Sequence, residues 1–207
     1  MTSEPLAGIV LAGGQSRRLG VDKARLTLHG ERTLLESTIE VLQAVCDELV
    51  VVSDAPGRYA DLDPAAREVI DVVRGRGPMG GLHAGLLSVE AAFALLVACD
   101  MPFLSPGLVA YMAGLPRDYE ALVPRVEGRW QPTLAIYGRV CLPRIERLLE
   151  EGRNSLSELV SCLDTRQLTE DELRRHDPQG LSLFNLNEPE DIESARALLD
   201  AGRLSGP

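Results

Sequence analysis

Residues Gly8 to Lys23 read GIVLAGGQSRRLGVDK. An apolar run (Ile9, Val10, Leu11) drops into Ala12, Gly13 and Gly14, passes Ser16, Arg17, Arg18 and Gly20, and closes on Asp22 and Lys23. An apolar strand, a glycine turn and fixed cations together describe an anion cradle. Glycine lets backbone N–H groups come close to a guest, and Arg and Lys add full charges that backbone dipoles lack. Polyphosphate is the guest such a loop suits. It is not a P-loop, because Lys23 lies three residues beyond Gly20 and is followed by Ala24. The dinucleotide pattern Gly-x-Gly-x-x-Gly is also absent from this loop.

Strand and helix signals alternate after it. Thr33 to Glu36 has the Thr-x-x-Glu form of a capping box, with Leu34, Leu35, Ile39, Leu42 and Val45 at helical spacing, so a helix is expected over about 33–46. Glu48 to Ser53 and Glu68 to Val73 are β-branched runs of the kind found in buried parallel strands. Arg74 to Gly81 is a second glycine-rich turn, leading into an expected helix from Leu82 to Ala92. Gly75-Arg-Gly77-Pro-Met-Gly80 matches the dinucleotide spacing, but it follows the third strand and has proline in its second gap, which argues against that ligand. Phe93 to Ala98 is the most uniformly apolar strand and is expected at the centre. It ends in Cys99-Asp100-Met101-Pro102, where ligands bind in open parallel sheets.

Ser105 and Pro106 cap a helix expected to about 114. Glu120 to Val126 and Thr133 to Tyr137 read as a hairpin, followed by helices at about 139–151 and from Ser155. A strand at Leu181 to Phe184 precedes Asn187-Glu-Pro-Glu190, read as N-cap and capping box of the last helix. The expectation is an α/β three-layer sandwich with a mostly parallel sheet, forming one domain over residues 1–207.

The net charge of -10 and pI near 4.8 argue against a nucleic-acid partner. Cys46, Cys99, Cys141 and Cys162 are far apart and form no Cys-x-x-Cys pair, so they read as buried structural thiols of a reduced, cytoplasmic protein. No apolar run approaches the ~18 residues of a membrane span, and no signal segment is read at the start. His29, His83 and His176 stand beside no Ser or Cys in a nucleophile motif, which leaves hydrolytic triads poorly supported.

The loop LAGGQSRRLGVDK resembles the signature of the molybdenum cofactor guanylyltransferases, the MobA family, whose pattern is Leu-Ala-Gly-Gly, a polar stretch, Arg-Met-Gly and Asp-Lys; Leu19 stands where methionine is usual. Gly77-Pro78-Met79-Gly80-Gly81 is similar to that family's Gly-Pro-Leu-Ala-Gly, Cys99 to Pro102 to its metal-binding Cys-Asp-x-Pro, and Asn185 to Asp191 to its Asn-x-Asn-x-Pro-Glu ending. The resemblance implies the Rossmann-like nucleotidyltransferase fold, with a nucleotide-binding half over about 1–102 and an acceptor half over about 103–207. It implies transfer of GMP from GTP to Mo-molybdopterin, with Mg²⁺ as cofactor.

On that reading Lys23, Arg18 and Asp100 are the catalytic residues, and Asp100 also ligates the metal. Leu11, Ala12, Gly13, Gly14, Lys23, Asp71, Gly77, Pro78 and Asp100 bind the nucleotide. The Asp71 carboxylate suits guanine, whose N1–H and 2-amino group are adjacent donors. Gln131, Asn185 and Asn187 face the acceptor. Ser53 replaces the asparagine often found after the second strand, and Arg153 reads either as a phosphate contact or as a helix-end cap. Cofactor carrier or insertion proteins are implied partners, and a monomer or weak oligomer is expected. The alternatives are a cytidylyltransferase for molybdopterin, a sugar-phosphate nucleotidyltransferase, an NAD-binding oxidoreductase using Gly75 to Gly80, and a nucleotide-binding regulatory module without turnover.

Overall fold

The computed structural model describes residues 4–13, 22–61, 66–71 and 76–201. Its sheet is eight-stranded, in the order β3-β2-β1-β4-β7-β5-β6, with β8 paired to β5. β1 (Leu6–Leu11) lies between β2 (Glu48–Ser53) and β4 (Phe93–Ala98), parallel to both, and β3 (Arg67–Ile70) extends the parallel set beyond β2. The chain runs outward from β1 to β3, then returns to the other side of β1 as β4. That reversal makes the β1/β4 boundary the switch point of the sheet, where the carboxyl ends of the strands open a crevice. β7 (Leu134–Gly138) joins β4 antiparallel, and β5 (Ala121–Val126) and β8 (Thr165–Leu168) continue the sheet.

Strand alternation sends successive side chains to opposite layers. Val10, Val51, Leu95 and Val97 pack with α1 (Leu34–Gln43) and α3 (Pro106–Gly114), while Ile9, Val50, Val52 and Leu96 pack with α2 (Gly77–Ser88) and α4 (Leu142–Glu150). Two apolar layers on one sheet are the three-layer sandwich the strand pattern predicts. The N-caps Thr33, Ser105 and Ser155 each accept from the backbone N–H three residues on, and Thr33 and Glu36 close a full capping box. Among the described residues no helix is long and apolar enough to cross a membrane.

Several boundaries differ from expectation. α2 begins at Gly77, not Leu82, and ends at Ser88. Its glycines are there for packing: a Cβ on Gly85 would stand 2.7 Å from two carbons of Ile9, and one on Gly81 would stand 2.6 Å from Leu11 Cδ2. α1 ends at Gln43, and β3 closes at Ile70. The hairpin carries a two-residue strand, β6 (Arg129–Trp130), on β5, and a 3₁₀ turn over Arg139–Cys141 precedes α4. After α5 (Leu156–Val160), β8 and α6 (Glu170–His176) are additions, although Thr169 and Glu172 form a full capping box.

Leu181 to Phe184 is not a strand. Its Ser182 N–H donates to the Asp177 carboxylate at 2.8 Å and its Phe184 N–H to the Leu181 carbonyl at 2.9 Å, so a turn takes the ladder donors. The last helix, α7, runs Pro189–Asp200 with Glu188 as N-cap, not Asn187. Cys99 and Cys141 are buried, Cys46 is half-buried and Cys162 is exposed, which departs from four buried thiols; all four are free.

The fit of α2 on β1 gives a direct test. Gly85→Val should lower stability by about 1–3 kcal/mol, since overpacking outweighs any helix-propensity gain; chemical denaturation measures it, and an unchanged midpoint would contradict the close approach.

Candidate nucleotide site at the carboxyl ends of β1 and β4

The register pairs Leu11 with Ala98, the last residues of β1 and β4, so the segments following them emerge side by side. The Cys99 N–H donates to the Leu11 carbonyl at 3.1 Å and carries the pairing one step further. Asp100 then turns into the crevice. Its Oδ2 accepts from Lys23 Nζ at 3.0 Å, the side chains being 17% (Lys23) and 22% (Asp100) exposed. Its Oδ1 is buried and has no hydrogen-bond partner among the described residues. A buried oxygen left unsatisfied is costly.

That orphan suits a hard cation. Mg²⁺ keeps several waters and takes one or two carboxylates together with substrate phosphates. Among the described residues no group of three or more His, Cys, Asp or Glu converges on one point; one carboxylate with a free oxygen is a donor set that a metal shared with substrate phosphates can use.

Lys23 opens a short 3₁₀ turn, Lys23–Arg25, whose N-cap Asp22 accepts from the Ala24 N–H at 3.1 Å. On the strand side of the loop, the Ala12 and Gly13 N–H groups both donate to the Val52 carbonyl, at 3.0 and 2.9 Å. These amides are therefore engaged by β2, and within the described part of the loop Lys23 supplies the positive charge. Gly13 is closely approached, since a Cβ there would lie 3.2 Å from Asp54 N and 3.3 Å from Ser53 C. Gly14 and Arg18 lie outside the described residues, as do Arg17 and Gly75.

Asp71 follows β3, its N–H donating to the Ser53 carbonyl at 2.9 Å. A Cβ on Gly80 would lie 2.8 and 3.2 Å from the two Asp71 carboxylate oxygens, so the carboxylate rests on the first turn of α2. The positive end of a helix favours a carboxylate there. Gly77, at φ +59, and Pro78 are exposed at the start of that helix. Lys23, Asp100, Asp71 and the α2 start thus lie along the carboxyl ends of adjacent strands. Ser53 is buried and its hydroxyl donates to the Ala55 carbonyl at 2.8 Å.

The acceptor candidates arrive from the other half. The Leu186 N–H donates to the Asp100 carbonyl at 3.0 Å, bringing Asn185 and Asn187 alongside the carboxylate loop. The Asn185 amide donates to the Leu183 carbonyl at 2.8 Å, and Asn187 is exposed. The Ala98 N–H donates to the Thr133 carbonyl, placing Gln131, Pro132 and Thr133 beside the end of β4. Arg153 is exposed and paired to Glu151 and Glu158 on the surface.

Sequence reasoning missed Asp191. Its carboxylate accepts from the Asn187 and Glu188 N–H groups at 2.7 and 2.8 Å. Those bonds, Glu188 first, hold it below the usual carboxylate range, and the nearby charge of Lys23 adds to the effect. Cap chemistry around Pro189 at the first helical position is the signal that finds it.

Cys99, the thiol beside Asp100, is not set up as a nucleophile. Burial first, then the charge of Asp100, pushes the Cys99 thiol up to about 12, which keeps it protonated at neutral pH. Thiol titration of the native protein should therefore modify Cys162 quickly and Cys99 only on unfolding; a fast-reacting Cys99 would contradict its place in the core.

Comparison with known proteins gives a consistent family. A sequence model of the MobA-like NTP transferase domain matches residues 8–168. A molybdenum cofactor guanylyltransferase of Desulfosudis oleivorans is 34% identical over 204 residues, covering 98% of this chain and 100% of the relative. One from Syntrophotalea carbinolica is 33% identical over 193 residues, covering 92% and 90%. The crystal structure of molybdopterin-guanine dinucleotide biosynthesis protein A from Archaeoglobus fulgidus superposes with a TM-score of 0.80 at 26% identity, covering 94% of this chain and 99% of that one.

Proposed function

The chain belongs to the family of MobA-like NTP transferases, and we propose that within it the protein is a molybdenum cofactor guanylyltransferase, which moves GMP from GTP to the phosphate of Mo-molybdopterin. The products are molybdopterin guanine dinucleotide and pyrophosphate. The observation that carries this reading is the Lys23–Asp100 pair at the switch point, with one oxygen of Asp100 buried and unsatisfied among the described residues.

In the proposed reaction an oxygen of the acceptor phosphate attacks the α-phosphorus of GTP in line. One P–O bond forms as the bridging α–β P–O bond breaks, and the electron pair leaves with pyrophosphate. The acceptor is already anionic at neutral pH, so the chemistry asks for alignment and charge neutralisation and needs no strong general base. Lys23 neutralises the charge that develops on the α-phosphate and the leaving group, and Arg18 is assigned the same task. Asp100 is the residue to hold Mg²⁺, which when bound supplies Lewis-acid neutralisation of the triphosphate.

Asp71 accepts from guanine N1–H and the 2-amino group. Leu11 to Gly14, with Gly77 and Pro78, flank the base and ribose, and Gln131, Asn185 and Asn187 flank the pterin. The same proposal takes residues 1–207 as one domain with a nucleotide half and an acceptor half, acting in the cytoplasm as a monomer or weak oligomer. Its product would pass to cofactor carrier or insertion proteins.

Lys23→Met and Asp100→Asn should each lower kcat for guanylyl transfer by about 10² or more, the cost of removing one charge-stabilising group. Chelation with EDTA should abolish turnover and Mg²⁺ restore it. Asp71→Ala should leave the protein folded and shrink its preference for GTP over ATP by about 10-fold or more, as unpaired recognition groups do. Undiminished turnover in both charge variants would refute the assignment.

A further inference from the structure

The segment that follows β2 has no part in the site as described so far, yet it holds the nucleotide loop at both ends. Tyr59 is buried, and its hydroxyl donates to the Ala12 carbonyl at 2.8 Å while standing 3.1 and 3.2 Å from the two Asp22 oxygens. Ala12 is where the chain leaves β1, and Asp22 is the cap of the turn that carries Lys23. The one proton of this hydroxyl is shared between the Ala12 carbonyl and the Asp22 carboxylate, a three-centre bond that joins the entry and the exit of the loop. Arg58 completes the hold: its Nε and Nη2 donate to Asp22 Oδ2 at 3.1 and 2.9 Å, and its Nη1 pairs with Asp54. Arg25 ties the far side of the turn to the same segment, donating to the Arg58 carbonyl at 2.7 Å and pairing with Asp61 through two bonds. The Arg58 guanidinium also lies 5.4 Å from the Tyr59 ring centre, within cation–π range.

Asp22 is thereby fully committed. Its Oδ1 serves the Ala24 N–H and its Oδ2 serves Arg58. A lysine is a flexible four-carbon stem, and where its ammonium can reach depends on where its backbone is held. We propose that Tyr59 and Arg58 are positioning residues for nucleotidyl transfer: acting through Asp22, they fix the root of Lys23 so that its ammonium meets the triphosphate beside Asp100. The proposal rests on the reading of Lys23 as the triphosphate residue. The role asked of Tyr59 and Arg58 is to hold Asp22, with no contact to substrate required. Burial, then the charge of Asp22, raises the Tyr59 hydroxyl above its ordinary range, so it remains a donor at any working pH.

The test uses the full chain with Mg²⁺-GTP titrated by calorimetry, with kcat and KM measured in parallel. Tyr59→Phe removes only the hydroxyl. The control is Tyr119→Phe, which deletes another buried hydroxyl beside Phe93, at the opposite end of β4 from Asp100. Tyr59→Phe should melt within about 5 °C of wild type, the scale of one lost hydrogen bond, and Tyr119→Phe, whose hydroxyl has no hydrogen-bond partner among the described residues, should melt no lower than wild type. Tyr59→Phe and Arg58→Gln should raise the GTP Kd and lower kcat/KM by about 10-fold, while Tyr119→Phe changes neither.

In a Lys23→Met background the penalty of Tyr59→Phe should vanish, because its effect runs through Lys23; a merely structural role leaves the two effects additive. Wild-type kinetics in Tyr59→Phe and Arg58→Gln, or additive losses, overturn the proposal. A wild-type protein that binds CTP or ATP in place of GTP refutes the guanylyl reading alone, and the same ratios, taken with that nucleotide, then decide the positioning role.

Discussion

The parallel pairing of β1 with β4 is the constraint from which the rest of the molecule follows. Side-chain alternation commits each of these strands to two apolar layers, so both must lie inside the sheet, with helices on either face. Once Leu11 is registered with Ala98, Ala12 and Cys99 leave the sheet at the same edge. Lys23 and Asp100 are 77 residues apart in the chain and meet there at 3.0 Å. The same pairing demands a close helix above β1, and Gly81 and Gly85 are what let α2 come down onto Leu11 and Ile9. Because α2 starts low, its first turn arrives under Asp71, and a third functional candidate joins the same edge.

In a protein of net charge -10, the crevice sets the ammonium of Lys23 among carboxylates. A partly exposed ion pair such as Lys23–Asp100 adds little to stability, because solvent screens it and two side chains must be ordered to make it. Its use is spatial: each charge holds the other in place, and Asp100 keeps one oxygen buried without a partner among the described residues. Asp22, committed to Arg58 and the Ala24 N–H, and Asp191, committed to backbone amides, lie further out, and neither bonds the Lys23 ammonium. The braced loop and the paired carboxylate are two parts of one arrangement, in which positive charge is placed with little freedom to wander.

Much of this architecture was legible in the chain because local and tertiary demands agree. Thr33, Ser105 and Ser155 cap where their spacing predicts, and the apolar runs of β1, β2 and β4 become the buried parallel strands. Legibility failed where tertiary contacts set the outcome. Glycine reads as a helix breaker, so the start of α2 was placed five residues late; those glycines answer to Ile9 and Leu11. Leu181 to Phe184 has the composition of a strand, but Asp177 takes its amide and closes a turn. β8, with Thr165 and Gln167 among its four residues, carries no apolar run to announce it. At the last helix, Pro189 outweighs Asn187, since proline belongs at the first helical position and moves the cap to Glu188. Lys23, Asp71 and Asp100 could be proposed as site residues from sequence because each follows a recognisable turn or strand. Arg58 and Tyr59 could not, since their meaning comes from Asp22, 36 and 37 residues away.

The central claim is that this crevice transfers GMP. The most direct measurement follows the α-phosphate label of GTP, CTP and ATP into a molybdopterin acceptor in the presence of Mg²⁺, with pyrophosphate counted in the same reaction. The account predicts label transfer from GTP well above the other two, with one pyrophosphate released per nucleotide transferred. Transfer from CTP ahead of GTP, or nucleotide binding with no pyrophosphate released, would contradict it.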